Sequence, residues 1–316
     1  MLSPSRFFLL ACILALALTG CVRDAETRAP ASAPDTGAGK DGSVWVVDSP
    51  KTGGRLFLCG TIHILREADY PLAPGYEAAY ANSDRLLFEL PPGAGEGPQL
   101  VTRMRELGTY PLQEQALPSH LPPATWEAVQ KWAQSRGVTS STFFRQRPWY
   151  VALIITSTEY AALGAKPQFG VDNHFEARAK RDGKPAGGLE TAEFQLQLFA
   201  GLSADQQREM LEQTLAEVAV LPQEYDEMIE AWKTGKLDDL GEMLFREQAR
   251  FPDLMELFLF GRNRSWMPRL EEILQKGEKA MLLVGTGHFA GDKGLIRLLK
   301  DKGYTVRHYR DVADGL

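Results

Sequence analysis

Two histidines stand in matching settings toward opposite ends of this chain. One is His63 in Gly60-Thr61-Ile62-His63, the other His288 in Gly285-Thr286-Gly287-His288. Each motif follows a short apolar run, residues 55–59 and 280–284, and glycine closes each run. Runs of that length bounded by glycine read as buried strands. Imidazole serves either as a general base or as a metal ligand. In an open α/β sheet, ligands bind just beyond the carboxyl ends of the strands, where glycine lets the backbone turn sharply. A histidine three residues past that glycine can point into the crevice, and two such motifs bring two imidazoles to one site. The spacing is not that of a helix-borne H-E-x-x-H pair, so any metal site must be assembled from distant parts of the chain.

The acids and their partners come next. Glu89 closes the strand-like run 85–90, where a charge is costly unless it is paired or solvated at a crevice. With parallel strands it lies beside His63, suited to ligation or proton transfer; a rim salt bridge is the plainer role. Asp172, in Gly170-Val-Asp-Asn-His-Phe-Glu176, can serve the site or cap the following helix. His174 in the same cluster reads as helix surface. Glu190 occupies a strand-to-helix junction. Arg262 and Asn263 precede a helix and are placed to hold a substrate carboxylate or a developing oxyanion. His120 reads as loop, and His308 is a minor candidate at the place of Glu89 in the second unit.

Around both motifs the order is strand, GTxH, helix, strand, which is a right-handed βαβ unit if the strands are parallel. This is an internal pseudo-repeat, not a solenoid array. Residues 43–48 form a first strand. The middle of the chain is mostly helical. Residues 122–132 carry Trp126, Val129 and Trp132 on one face, with Thr125 as a possible N-cap. Residues 149–163 form an apolar core helix, too short and too interrupted to span a membrane. Ser203 and Gln206 make a capping box for a helix over 203–220. Further helices fall at 224–233, 237–250 and 266–275, with a strand at 184–189. The expected fold class is α/β: a split central sheet from two terminal βαβ units, with a largely helical central insertion, in one domain over 43–312.

The first residues read as targeting. Arg6 precedes an apolar run from Phe7 to Leu18, a secretory signal peptide over 1–20. Leu18-Thr19-Gly20-Cys21 resembles a bacterial lipobox, which would lipidate Cys21. Val22 after it resembles outer-membrane sorting, so the expected location is the cell envelope, lipid-anchored and facing the periplasm. Residues 22–42, rich in Ala, Pro, Asp, Gly and Thr, read as a flexible tether. Of three cysteines, only Cys59 remains in the body, so an internal disulfide is excluded and Cys59 reads as a small buried hydrophobe. Net charge is −6 with no concentrated basic face, which argues against a nucleic-acid partner.

The strings GTIHILREADYPL, FEL, FGVDNHFEARA, LET, GRNRSWM and LLVGTGHFAGDKGLIRLLKDKGYTVRHY resemble the TraB/GumN family, over about residues 43–310. That family is related to the animal Tiki proteases and has been compared with erythromycin-esterase-like proteins. The resemblance implies a metal-dependent peptidase, with His63, His288 and Glu89 as core positions and Asp172, Glu190, Arg262 and Asn263 in supporting motifs. The ion would be manganese or cobalt by resemblance, with zinc as another option, held by His63, His288, Glu89 and Asp172. Glu89 or Glu190 would move the proton, Arg262 and Asn263 would hold the substrate, and the substrate would be a peptide or protein. The rival readings are a metal-free His/Glu hydrolase and a catalytically silent peptide-binding lipoprotein.

Overall fold

The computed structural model describes residues 42–114, 116–246 and 251–316. The signal peptide, Cys21 and nearly all of the tether lie outside the described residues.

Six strands form one mixed sheet: β1 (Val44–Asp48), β2 (Arg55–Thr61), β3 (Arg85–Phe88), β4 (Ala186–Gly188), β5 (Lys279–Gly285) and β6 (Thr305–His308). Their spatial order is β4-β3-β5-β2-β1-β6. The ladders β4-β3, β3-β5 and β5-β2 are parallel, while β1 runs antiparallel to both β2 and β6. The fold is thus α/β, with the sheet split between the two ends of the chain and one edge strand supplied by the helical insertion. Strands β2 and β5 are central and buried on both faces, which is why they read as continuous apolar runs rather than alternating ones.

The two strand-helix-strand units interleave. β5 lies between β2 and β3, so the strands of the first unit are not neighbours; β2 and β1 likewise separate β5 from β6. The two crossovers run in opposite directions from the centre. Two right-handed crossovers of that kind place their helices on opposite faces. The helix Pro74–Ala81 packs Tyr76, Ala79 and Tyr80 in one core with Phe57, Cys59 and Phe88. The helices Gly261–Gln275 and Leu295–Asp301 pack with Leu56, Leu58 and Leu282 on the other side. Between β2 and β5 the chain therefore changes winding direction, and their carboxyl ends bound a switch-point crevice. Both GTxH motifs sit there, offset by one residue: Thr61 lies opposite Gly285.

Apart from Gly261–Gln275, the helices of the insertion stack mainly on the first face. Pro148–Ala162 buries Trp149, Val151, Ala152 and Ile155, in keeping with a core helix. Ser203 and Gln206 make both bonds of the capping box for Ala204–Glu217. Three local expectations are revised. Pro122, not Thr125, is the N-cap of Pro123–Ser135, and the buried Thr125 hydroxyl instead donates to Glu212 at 2.7 Å. The helix expected from 266 starts at Gly261, continuing a π-helical turn at Glu256–Phe260. The helix from Leu237 extends to Phe245 among the described residues, with 247–250 outside them.

Candidate active site

Glycine is required at the floor of the crevice. A Cβ on Gly60 would sit 2.6 Å from Thr286 Oγ1, so only glycine lets the two motifs meet. The Gly60 carbonyl accepts hydrogen bonds from Tyr76 Oη at 2.6 Å and Trp232 Nε1 at 2.8 Å, fixing the chain just before His63. Gly285 supplies a backbone N–H that donates to Glu89 Oε1 at 2.8 Å. Glu89, just past the end of β3, is thereby tied to β5, the strand that separates it from β2.

The two imidazoles converge on that same carboxylate oxygen. His63 Nε2 lies 3.9 Å and His288 Nε2 3.7 Å from Glu89 Oε1. Each ring is held by its other nitrogen. His63 Nδ1 donates to Asp172 Oδ2 at 2.7 Å, since a carboxylate can only accept. His288 Nδ1 pairs with Asn263 Oδ1 at 2.7 Å. The Asn263 amide nitrogen donates to the carbonyls of His288 and Lys293, so its oxygen is the acceptor and His288 Nδ1 carries the proton. Each Nε2 is thus the acceptor nitrogen of its ring, the arrangement that outer carboxylate or carbonyl partners impose on ligating histidines, and that of His288 accepts from Arg262 Nη1 at 3.2 Å.

Opposite Glu89 Oε1, a buried arginine holds the other oxygen. Arg262, 1% exposed, donates through Nη2 to Glu89 Oε2 at 2.6 Å and to Glu190 Oε2 at 2.7 Å. Its Nε reaches Glu190 Oε1 at 2.9 Å, and Nη1 reaches Phe258 O at 3.1 Å and His288 Nε2 at 3.2 Å. Glu190 also accepts from Trp266 Nε1 at 2.8 Å, and the Trp266 ring packs 4.4 Å from that of His288. All the guanidinium donors are therefore engaged within the protein, as are those of the Asn263 amide. The expected contact of Arg262 and Asn263 with a substrate oxyanion is replaced by another role: they position Glu89, Glu190 and His288.

Gln195 is a member of the cluster that sequence reasoning missed. It is 4% exposed and donates from Nε2 to Glu89 at 3.2 Å and to Glu190 at 3.1 Å. Its position one turn after the Thr191 N-cap, following Glu190, was the available signal. Three other histidines lie apart from this network. His120 stacks on Tyr110 at 4.4 Å. His174 sits on the helix Val171–Asp182 against Tyr70 and Phe175. His308, at the end of β6, donates from Nε2 to Gly42 O at 2.9 Å.

The electrostatics follow from burial and from Arg262. Burial alone would push the Glu89 carboxyl upward, but the Arg262 charge beside it, with the Gly285 N–H, lowers it to about 2. Burial, then the Arg262 charge, lowers His288 to about 3, so its imidazole is neutral at pH 7. Unfolded, these groups titrate near 6.5 and 4.5. The unfolded chain thus binds more protons than the folded one as acid is added. Stability of the metal-free protein should be full above about pH 6.5 and fall as pH drops toward 3, with Glu89 adding to the loss below about 4.5. Urea midpoints at pH 7, 5.5 and 4 measure this, and His288→Asn should flatten the upper part of the slope. A wild-type midpoint unchanged between pH 7 and 5 would show that His288 is not held neutral.

The residues present suit a divalent cation. Glu89, Glu190 and Asp172 bring three carboxylates against one permanent cation, Arg262, and a neutral His288, leaving negative charge in excess. His63 Nε2, His288 Nε2 and Glu89 Oε1 match the two-histidine, one-carboxylate donor set of catalytic sites that keep an open position. Among the described residues no three His, Cys, Asp or Glu side chains are yet drawn together as closely as around a bound ion. The gaps of 3.7 and 3.9 Å exceed by a few tenths of an ångström the spacing that bonds of about 2.0–2.2 Å produce. Asp172 lies on the far, Nδ1 edge of His63, where it orients the ring rather than facing Glu89.

These features define an α/β protein with a switch-point crevice carrying paired GxxH histidines, two glutamates and a buried arginine. The chain belongs to the TraB/PrgY/gumN family, whose profile matches residues 43–308. It is similar to the uncharacterized protein YbaP of Escherichia coli (strain K12), 24% identical over 255 residues, covering 80% of this chain and 91% of that protein. YbaP of Shigella flexneri is 23% identical over 243 residues, 77% of this chain and 87% of that one. Metalloprotease TIKI2 of Danio rerio is 23% identical over 319 aligned residues, 84% of this chain and 60% of that protein. No solved structure matches the chain.

Proposed function

We propose that this chain is a divalent-metal-dependent hydrolase acting on peptides in the cell envelope. The observation that carries the reading is the convergence of two oriented Nε2 atoms on one oxygen of Glu89, within a cluster whose charge is negative without a further cation. The name of the distant relative TIKI2, a metalloprotease, supports the same chemistry. His63, His288 and Glu89 would hold the ion, which supplies activation of water as nucleophile and polarisation of a carbonyl. The protein's own residues do the rest. Asp172 and Asn263 fix the two rings so that their Nε2 atoms face inward. Arg262 and Gln195 hold Glu89 Oε2, leaving Oε1 as the working atom. Arg262 keeps Glu89 ionised, the form that ligates a cation. The reading also takes Cys21 as the lipid anchor and the envelope as the compartment, with the crevice facing the periplasm.

A metal-free hydrolase with His63 as base is the second reading, because Arg262 Nη1 already occupies the lone pair of His288 Nε2, the nitrogen that would ligate an ion, at 3.2 Å. Elemental analysis of protein purified without chelators separates the two. The expected result is close to one divalent ion per chain, lost in His63→Ala with the folded state retained, since His63 lies at the crevice rather than in the core. Binding should also weaken in acid, as ligating histidines must be unprotonated. Metal absent from active wild-type protein would establish the metal-free reading.

A further inference from the structure

We propose that the open edge of β4 takes up an extended peptide as an added strand and leads it into the crevice; this rests on the peptide-hydrolase reading above. β4 is the terminal strand of the sheet, on the side nearest Glu89 and Glu190. Leu86 N–H donates to Pro185 O at 2.8 Å, and Leu189 N–H to Phe88 O at 2.9 Å. Alternate residues of a parallel ladder face the neighbouring strand, so Pro185, Gly187 and Leu189 face β3. The N–H and C=O groups of Ala186 and Gly188 therefore point outward. These two outward pairs are about 6.6 Å apart, the two-residue repeat of an extended chain.

Nothing on this strand guards it. Its one side chain beyond hydrogen is the methyl of Ala186, which is exposed, while Gly187 and Gly188 are partly so. Natural sheets usually protect an edge with charge, often lysine. The other edge strand does so: Arg307 of β6 is half-exposed and pairs with Asp48 at 2.8 Å. Beside β4, Lys184 is instead turned inward onto the carbonyls of Tyr80 and Ser83. A three-residue edge is too short to template sheet-to-sheet pairing, yet it offers enough groups for one peptide. The strand also runs directly into the site, because Glu190, two residues after Gly188, donates its N–H to Glu89 O at 2.8 Å and places its carboxylate on Arg262. Backbone bonding of this kind accepts many sequences, which is the recognition expected of strand addition.

The geometry sets a length requirement. A peptide on the β4 edge lies three strand spacings, roughly 14 Å, from β5 at the near wall of the crevice, so about four extended residues separate the paired segment from it. Peptides of about seven residues or more should be bound well, and tripeptides poorly.

The test is Ala186→Pro in the full chain. The ring removes an outward N–H and leaves the β3 ladder intact, since proline is accepted on an edge strand when its nitrogen faces solvent. The probe is a fluorescein-labelled decapeptide library, from which the tightest wild-type binders are taken. Their Kd, measured by anisotropy, should rise three- to ten-fold in Ala186→Pro, while the urea midpoint stays at the wild-type value. Single backbone N-methylations of the same peptides, tested on wild-type protein, should weaken binding at alternate positions only. Equal affinities in both proteins together with indifference to N-methylation would overturn the proposal, as would a library with no binder. Hydrolysis of the bound peptides is scored separately: binding without cleavage refutes the hydrolase reading and leaves the edge site standing.

Discussion

Replacing Arg262 by methionine should cost the protein about 3–5 kcal/mol, the range for removing one partner from a buried ion pair. The guanidinium is almost fully buried and is shared by two carboxylates whose side chains are only 6% and 5% exposed. Methionine fills much of the same volume but donates nothing. Glu89 keeps Gln195 and Gly285, and Glu190 keeps Trp266 and Gln195, but neither keeps a positive neighbour within this cluster. Glu89 would then move up from about 2, because burial, the opposing influence, is left without the Arg262 charge. Arg262→Lys should recover little, since a single ammonium cannot bridge Glu89, Glu190, His288 and the Phe258 carbonyl at once. Urea unfolding at pH 7 measures the effect. A midpoint within experimental error of wild type in Arg262→Met would show that the pair is not the keystone inferred from its burial.

Much of this arrangement was legible in the sequence, and the parts that were not share a cause. Gly60 and Gly285 close apolar runs, so the strand ends and the two histidines could be read locally. Glu89 was legible because a charge at the end of Leu86-Leu87-Phe88 needs a reason. Strand order was not legible, because β5 enters between β2 and β3 from about 200 residues away in the chain, and no local pattern encodes that pairing. Gln195 was hidden in a helix whose polar residues otherwise face solvent, and only the tertiary approach of Glu89 turns it inward. Arg262 and Asn263 were picked out by type, but their role was misread. Gly261 looks like a helix boundary, whereas the π-helical turn at Glu256–Phe260 carries the helix through it, and both side chains lie in the interior. Asp172 was read correctly as belonging to a helix start, yet Gly170 takes the cap position and leaves its carboxylate for His63. Sequence pattern reports strands and breaks well; it reports poorly which polar group meets which across the sheet.

Glu89→Gln should lower peptide turnover about 10²–10⁴-fold, the range for losing a positioned acid-base group. The substitution keeps the shape of the side chain, so its consequences can be traced atom by atom. Oε2 accepts from Arg262 and Gln195, and an amide nitrogen there would face two donors. The amide must therefore turn its oxygen to Arg262 and its nitrogen toward Gly285 and the two histidines. That orphans the Gly285 N–H, at about 1–3 kcal/mol. It also replaces the one acceptor that both Nε2 atoms face with a donor that can neither ligate nor take a proton. Metal affinity and turnover should consequently fall together, while the fold survives because Arg262 remains paired with Glu190. The measurement is metal content and peptide hydrolysis on the same preparations, with the unfolding midpoint as control. Turnover lost with metal fully retained would make Glu89 the proton acceptor alone. Wild-type turnover with wild-type metal content would remove Glu89 from the chemistry, leaving Glu190, the other carboxylate on Arg262, as the acid to test next.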